Sequence, residues 1–122
     1  MKPKQRTLLY GQQAECLRII ELLRTMGDLM KGESEYTCVD NWDALQTHLV
    51  DWNPDLAIML ADGAAGMEGV YLARDSRPGM PVIWFTDDRD FALQSYRMNC
   101  DYFAVKPITE EKMRKILRRC FG

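Results

Sequence analysis

"PVIWFTDDRDFALQSYRMNCDYFAVKPI", residues 81 to 108, holds two short apolar runs separated by one helical pattern. "PVIWF" (81–85) is continuously apolar and strand-length, so it reads as a strand buried on both faces. Between 88 and 98, Phe91, Ala92, Ser95 and Met98 recur at helical spacing, a thin face because Ala92 and Ser95 are small. "DYFAV" (101–105) is a second buried strand. Thr109 then caps a helix that gathers Met113, Ile116, Leu117 and Cys120 on one side. Its acidic first turn (Glu110, Glu111) and basic last turn (Arg118, Arg119) suit the helix dipole. Two buried strands joined through a helix predict parallel strands, because the crossover returns the chain to the end of the sheet where the first strand began.

The same alternation runs back to the N-terminus. "TLLY" (7–10) reads as a strand, and Ala14 to Met26 as a helix with Cys16, Leu17, Ile19, Ile20, Leu22 and Leu23 at helical spacing before Gly27. "YTCV" (36–39) is a β-prone run. Asp40 or Asn41 can cap a helix carrying Trp42, Leu45, Leu49 and Trp52, which Pro54 ends. "DLAIMLA" (55–61) is a strand, and "MEGVYLARDS" (67–76) a helix that stops before Pro78 and Gly79. Five β/α units predict one α/β domain over residues 1–122, a doubly wound five-stranded parallel sheet with helices on both faces. Sheets of this kind put their sites at the carboxyl ends of the strands. Here those ends are Tyr10-Gly11-Gln12, Val39-Asp40, Leu60-Ala61-Asp62, Phe85-Thr86-Asp87 and Val105-Lys106-Pro107.

Bulk composition narrows the function classes. The 122 residues are 47% hydrophobic and 28% charged with a net charge of −2, so charge alone draws the chain to neither nucleic acid nor membrane. Cys16, Cys38, Cys100 and Cys120 form no C-x-x-C pair, and reduced structural thiols are the expectation. No stretch approaches the roughly eighteen apolar residues of a membrane span, and "MKPKQR" (1–6) lacks the apolar run of a signal peptide. A cytoplasmic domain follows as the expectation.

These residues, in this order, resemble a response-regulator receiver domain over nearly the whole chain. Thr86 ends the fourth strand and Lys106-Pro107 follows the fifth, as in that family. "GMEG" (66–69) resembles the turn behind the family's phosphorylation loop, and "PDLAIML" (54–60) the strand leading into it. Phe91-Ala92-Leu93, Tyr96, Asn99 and Phe103 ahead of Lys106-Pro107 look most like receivers of the LytTR type. The resemblance implies a flavodoxin-like (βα)5 fold with strand order 2-1-3-4-5.

It also implies a chemistry that this sequence cannot assemble. A working receiver takes a phosphoryl group onto an aspartate at the end of the third strand. Mg²⁺ held by carboxylates of the first βα loop offsets the charge, and a lysine and a hydroxyl hold the phosphoryl oxygens. Lys106 and Thr86 stand at the last two places, and the Lys106-Pro107 bond is cis-prone. The acidic pair, however, falls on Gly11 and Gln12, with Gln13 beyond, and a hard divalent ion binds neutral amides weakly. The nucleophile falls on Ala61 when counted back from Gly69 and on Leu60 when counted forward from Pro54, a mismatch that predicts an inserted residue. Asp62 comes one or two positions late. A bulge could aim it inward, although a solvated loop aspartate is the simpler expectation. "GAAG" (63–66) makes that loop small.

The remaining polar and aromatic residues have plain explanations. His48 is expected on a helix surface or half-buried, Asp40 in a cap, and Asp87-Asp88 at a helix start. Trp42, Trp52 and Trp84 are expected in or beside the core. Phe103 occupies the place of an aromatic ring that switches rotamer in signalling receivers; here packing is the expectation. The function expected is that of a pseudo-receiver. It is not an enzyme, needs no cofactor or metal, and acts on a protein partner or a second copy of itself through residues 88–121. The alternative is a phosphorelay receiver that uses Asp62 and Mg²⁺, and a weaker one a small-molecule binder in the strand-end crevice. A histidine kinase partner stays open. Receivers of the LytTR type usually precede a DNA-binding domain and act in transcription; the chain stops at Gly122, and no direct nucleic-acid contact is expected from it.

Overall fold

The computed structural model describes residues 4–30, 33–97 and 100–121. Met98 and Asn99, counted above in the fourth helix and in the LytTR-like pattern, lie outside the described residues, as do residues 1–3 and Gly122. The elements alternate as expected: β1 (Gln5–Tyr10), α1 (Gln13–Arg24), β2 (Ser34–Val39), α2 (Trp42–Asp51), β3 (Leu56–Met59), α3 (Gly63–Ser76), β4 (Val82–Thr86), α4 (Ala92–Arg97), β5 (Tyr102–Val105) and α5 (Glu110–Phe121). The strands form one parallel sheet in the order β2-β1-β3-β4-β5.

The two faces of the sheet divide the apolar residues by strand parity. Leu9, Ile58, Leu60, Ile83 and Phe85 pack beneath Cys16, Ile19, Ile20 and Leu23 of α1 and Met113, Ile116 and Leu117 of α5. Leu8, Tyr10, Ala57, Met59, Val82 and Trp84 pack on the other face beneath Leu45 and Leu49 of α2 and Val70 and Ala73 of α3. Strands buried on both sides carry apolar residues at every position, which is why the runs read as continuous and not alternating.

Local chemistry sets the helix boundaries, and some differ from expectation. Asn41, not Asp40, caps α2: its Oδ1 accepts from the Ala44 N–H at 2.9 Å. Thr109 Oγ1 accepts from the Lys112 N–H at 3.1 Å and starts α5. The expected helix over 88–98 is shorter. A 3-10 turn, Arg89–Phe91, precedes six residues of α4. Thr86 Oγ1 accepts from Asp88 N and Asp88 Oδ1 accepts from Asp90 N, so two consecutive side-chain turns use up the chain before a helix can begin. "GAAG" is not a loop but the first turn of α3, which begins at Gly63, four residues before the periodic pattern does. Small residues carry no apolar periodicity, and at Gly66 the chain is small because α3 lies against the end of β3 there. A Cβ on Gly66 would stand 2.0 Å from the Ala61 carbonyl oxygen.

Among the tryptophans, Trp84 is fully buried, Trp52 half-buried under the Arg6 guanidinium, and Trp42 exposed, against the expectation of a core position. Trp42 opens α2 at its first turn, where the helix has not yet turned its face to the sheet. His48 is half-buried, with Nδ1 2.8 Å from the Ala44 carbonyl. The four cysteines are free. Burial pushes the Cys100 thiol up to about 12 and the Cys120 thiol up to about 11, as expected of protonated structural thiols.

Candidate functional site

The carboxyl ends of β1 and β3 and the start of α1 enclose a crevice of about 830 Å³, lined among others by Gly11, Gln12, Glu15, Asp40, Ala61 and Asp62. Its floor is set by how β3 ends. The Leu60 and Ala61 N–H groups both donate to the Tyr10 carbonyl, at 2.7 and 3.0 Å. Two successive amides on one acceptor is the signature of a bulge, which inserts a residue against its neighbour strand. The doubled bond falls on Leu60 and Ala61, the two residues between which the sequence count is divided.

The bulge changes where Asp62 goes. The residue takes the N-cap position of α3, but its carboxylate makes no cap bond to the helix. Oδ1 instead accepts from Lys106 Nζ at 3.0 Å and from the Asp87 N–H at 3.2 Å. Asp62 is therefore no freely solvated loop aspartate, even though half its side chain (49%) faces solvent.

Lys106 is the hub. It follows β5, its bond to Pro107 is cis, and its side chain is 14% exposed. Three oxygens surround the ammonium: the Leu60 carbonyl at 2.7 Å, Glu15 Oε1 at 3.0 Å and Asp62 Oδ1 at 3.0 Å. An ammonium has three protons to donate, and three acceptors are in place. Glu15, from the first turn of α1, has no counterpart in the motif pattern. The one sequence signal for it is an acid where a helix N-terminus favours one.

Sequence-derived candidates divide accordingly. Gly11, Gln12, Ala61, Asp62 and Lys106 do converge on one crevice. Gly11 is there because its Cα approaches Leu60 closely, where a Cβ would stand 2.9 Å from Leu60 Cβ. Asp40 lines the crevice and accepts from Asn41 Nδ2 at 3.1 Å. Thr86 is fully buried at the end of β4 with its hydroxyl oxygen accepting from Asp88 N. Phe103 points elsewhere. Its ring meets Trp84 edge-on at 5.3 Å, and Trp84 in turn meets Phe91 at 5.4 Å, an aromatic row beneath α3 and α4.

No family model matches the chain, and no curated protein matches it. Solved structures do. A CheY-like response regulator receiver domain protein from Methanospirillum hungatei JF-1 superposes with a TM-score of 0.78 at 17% identity, over 98% of this chain and 94% of that one. This chain has the receiver fold. A response regulator receiver domain protein from Clostridium thermocellum gives a TM-score of 0.76 at 19% identity, covering 96% and 94% of the two chains. The signal receiver domain of a modulated diguanylate cyclase from Desulfovibrio desulfuricans G20 gives 0.71 at 16%, covering 98% and 94%. At these identities the likeness shows the fold.

Receivers imply a Mg²⁺ ion in this crevice, and the donors here do not fit one. Gly11 has no side chain, Gln12 and Gln13 offer amides, the Glu15 and Asp62 carboxylates are engaged by Lys106, and Asp40, the remaining carboxylate of the lining, accepts from Asn41. Among the described residues no group of three His, Cys, Asp or Glu side chains is disposed to hold a metal. Nor is any helix, among those residues, long and apolar enough to cross a membrane.

Proposed function

We propose that the chain is an atypical receiver, a signalling module that acts through protein contact without conventional aspartyl phosphorylation, and is not an enzyme. The observation that carries this reading is the state of Lys106. The group that would hold a phosphoryl oxygen is saturated by Leu60, Glu15 and Asp62 of the same chain. The nucleophile position just after β3 falls by sequence count on Leu60 or Ala61, neither of which can carry a phosphoryl group. No cofactor belongs to this reading, and a cytoplasmic location does.

Partner contact is placed on residues 88–121. Leu93 and Tyr96 lie three apart on α4, 58% and 82% exposed, and are the exposed large apolar side chains of that stretch among the described residues. A protein partner or a second copy of the chain would cover them. Any effect on transcription passes through that partner.

Metal binding tests the reading. Titration of Mg²⁺ into the protein, followed by calorimetry or by amide shifts of residues 11–15 and 61–62, is expected to show no saturable site at millimolar ion. Saturation with shifts confined to those residues would contradict it. The second reading, a phosphorelay receiver using Asp62 with Mg²⁺ and a histidine kinase, has one observation in its favour: Asp62 lies 3.0 Å from Lys106, where a phosphoacceptor would have to be.

A further inference from the structure

We propose that Asp62 is an internal ligand of the crevice, a resident carboxylate that takes the place of an external anion and holds the strand ends in one fixed arrangement. The inference rests on the phosphorylation-independent reading and adds how the site is regulated: its closing charge is built in.

Three observations carry it. An aspartate at a helix N-cap ordinarily accepts from the amides of its own first turn. Asp62 makes no such bond, so its carboxylate is free to serve partners distant in sequence. Those partners come from two other strand ends, Lys106 after β5 and the Asp87 N–H after β4. One oxygen thus ties the start of α3 to both loops. The bulge at Leu60 and Ala61 delivers the side chain there, since without the extra residue it would turn to the other side of the strand end. Glu15 shares Lys106, and its other ionic partner is Arg18 of its own helix, so among the described residues it neutralises the lysine without closing the β4 side.

The consequence is an arrangement of the β4–α4 segment that does not await a signal. Asp87 to Phe91 lead into α4, and α4 presents Leu93 and Tyr96. The contact surface is then set by the Asp62 bond. An added anion, with inorganic phosphate as the probe, would have to displace a tethered carboxylate from Lys106.

Amide hydrogen exchange tests this. In the wild-type protein the Asp87 N–H, though its residue is exposed, is expected to exchange at least tenfold slower than an open amide. Asp62→Ala removes the long-range acceptor without removing a helix cap, and should release that protection and speed exchange across 87–91. Glu15→Gln also deprives Lys106 of a charge and should leave Asp87 protected. An unprotected Asp87 in the wild type would overturn the proposal, as would equal exchange at Asp87 in wild type and Asp62→Ala, or equal release in Glu15→Gln. The wild-type measurement stands even if a variant folds poorly. Failure of the underlying reading is seen separately, as a phosphoryl adduct on Asp62.

Discussion

Trp84→Ala is expected to lower the free energy of unfolding by about 4 kcal/mol, while Trp84→Phe lowers it by about 1 kcal/mol or less. The indole is fully buried between β3 and β5 and meets Phe91 and Phe103. Truncation leaves a cavity lined by rings that cannot collapse into it, and large aromatic-to-alanine changes cost roughly 3–5 kcal/mol in such places. The phenylalanine variant differs in a second term. Trp84 Nε1 is buried with no hydrogen-bond partner, and an orphaned donor costs about 1–3 kcal/mol. Phe removes that donor while keeping most of the ring, so the two effects oppose. Urea unfolding followed by far-UV circular dichroism separates the variants, and a large loss for both would show that the indole nitrogen is not orphaned.

Gly66→Ala is expected to destabilise by about 2 kcal/mol or more although alanine is the better helix former by about 1 kcal/mol. The added Cβ would stand 2.0 Å from the Ala61 carbonyl oxygen and 2.9 Å from Trp84 Nε1. Neither neighbour is the flexible end of a side chain, so α3 must lift from the strand end. That motion also draws Asp62 away from Lys106, because Asp62 and Gly66 lie at the same end of α3. Denaturant unfolding gives the stability. A gain on substitution would mean that α3 does not pack this closely.

The strands and most helices were legible because a sheet buried on both faces leaves continuous apolar runs, and its helices leave a 3.6-residue pattern. The order β2-β1-β3-β4-β5 is not written in periodicity; it came with the resemblance carried by Thr86 and Lys106-Pro107, and the sheet has it. The site was legible in part. Gly11, Gln12, Ala61 and Lys106 could be placed at strand ends by counting, and they line or reach one crevice. The start of α3 was hidden because Gly63, Ala64, Ala65 and Gly66 carry no apolar signal: Gly66 answers to close approach, Gly63 to its positive φ of 65°, and Ala64 and Ala65 are exposed. The inward turn of Asp62 was hidden for a different reason. A bulge is a matter of two amides sharing one carbonyl, and its trace in the sequence was a count that disagreed by one. Glu15 leaves no trace beyond a favourable charge in a first helical turn, since its partner is ninety-one residues away.

Lys106 is held by the chain's own Glu15 and Asp62 carboxylates, and on this reading the crevice takes no phosphoryl group. Incubation with acetyl phosphate and Mg²⁺, followed at once by intact mass measurement of wild type and Asp62→Ala, tests it most directly. Both proteins are expected to keep their unmodified mass. A stoichiometric gain of one phosphoryl group in the wild type, absent from Asp62→Ala, would contradict it.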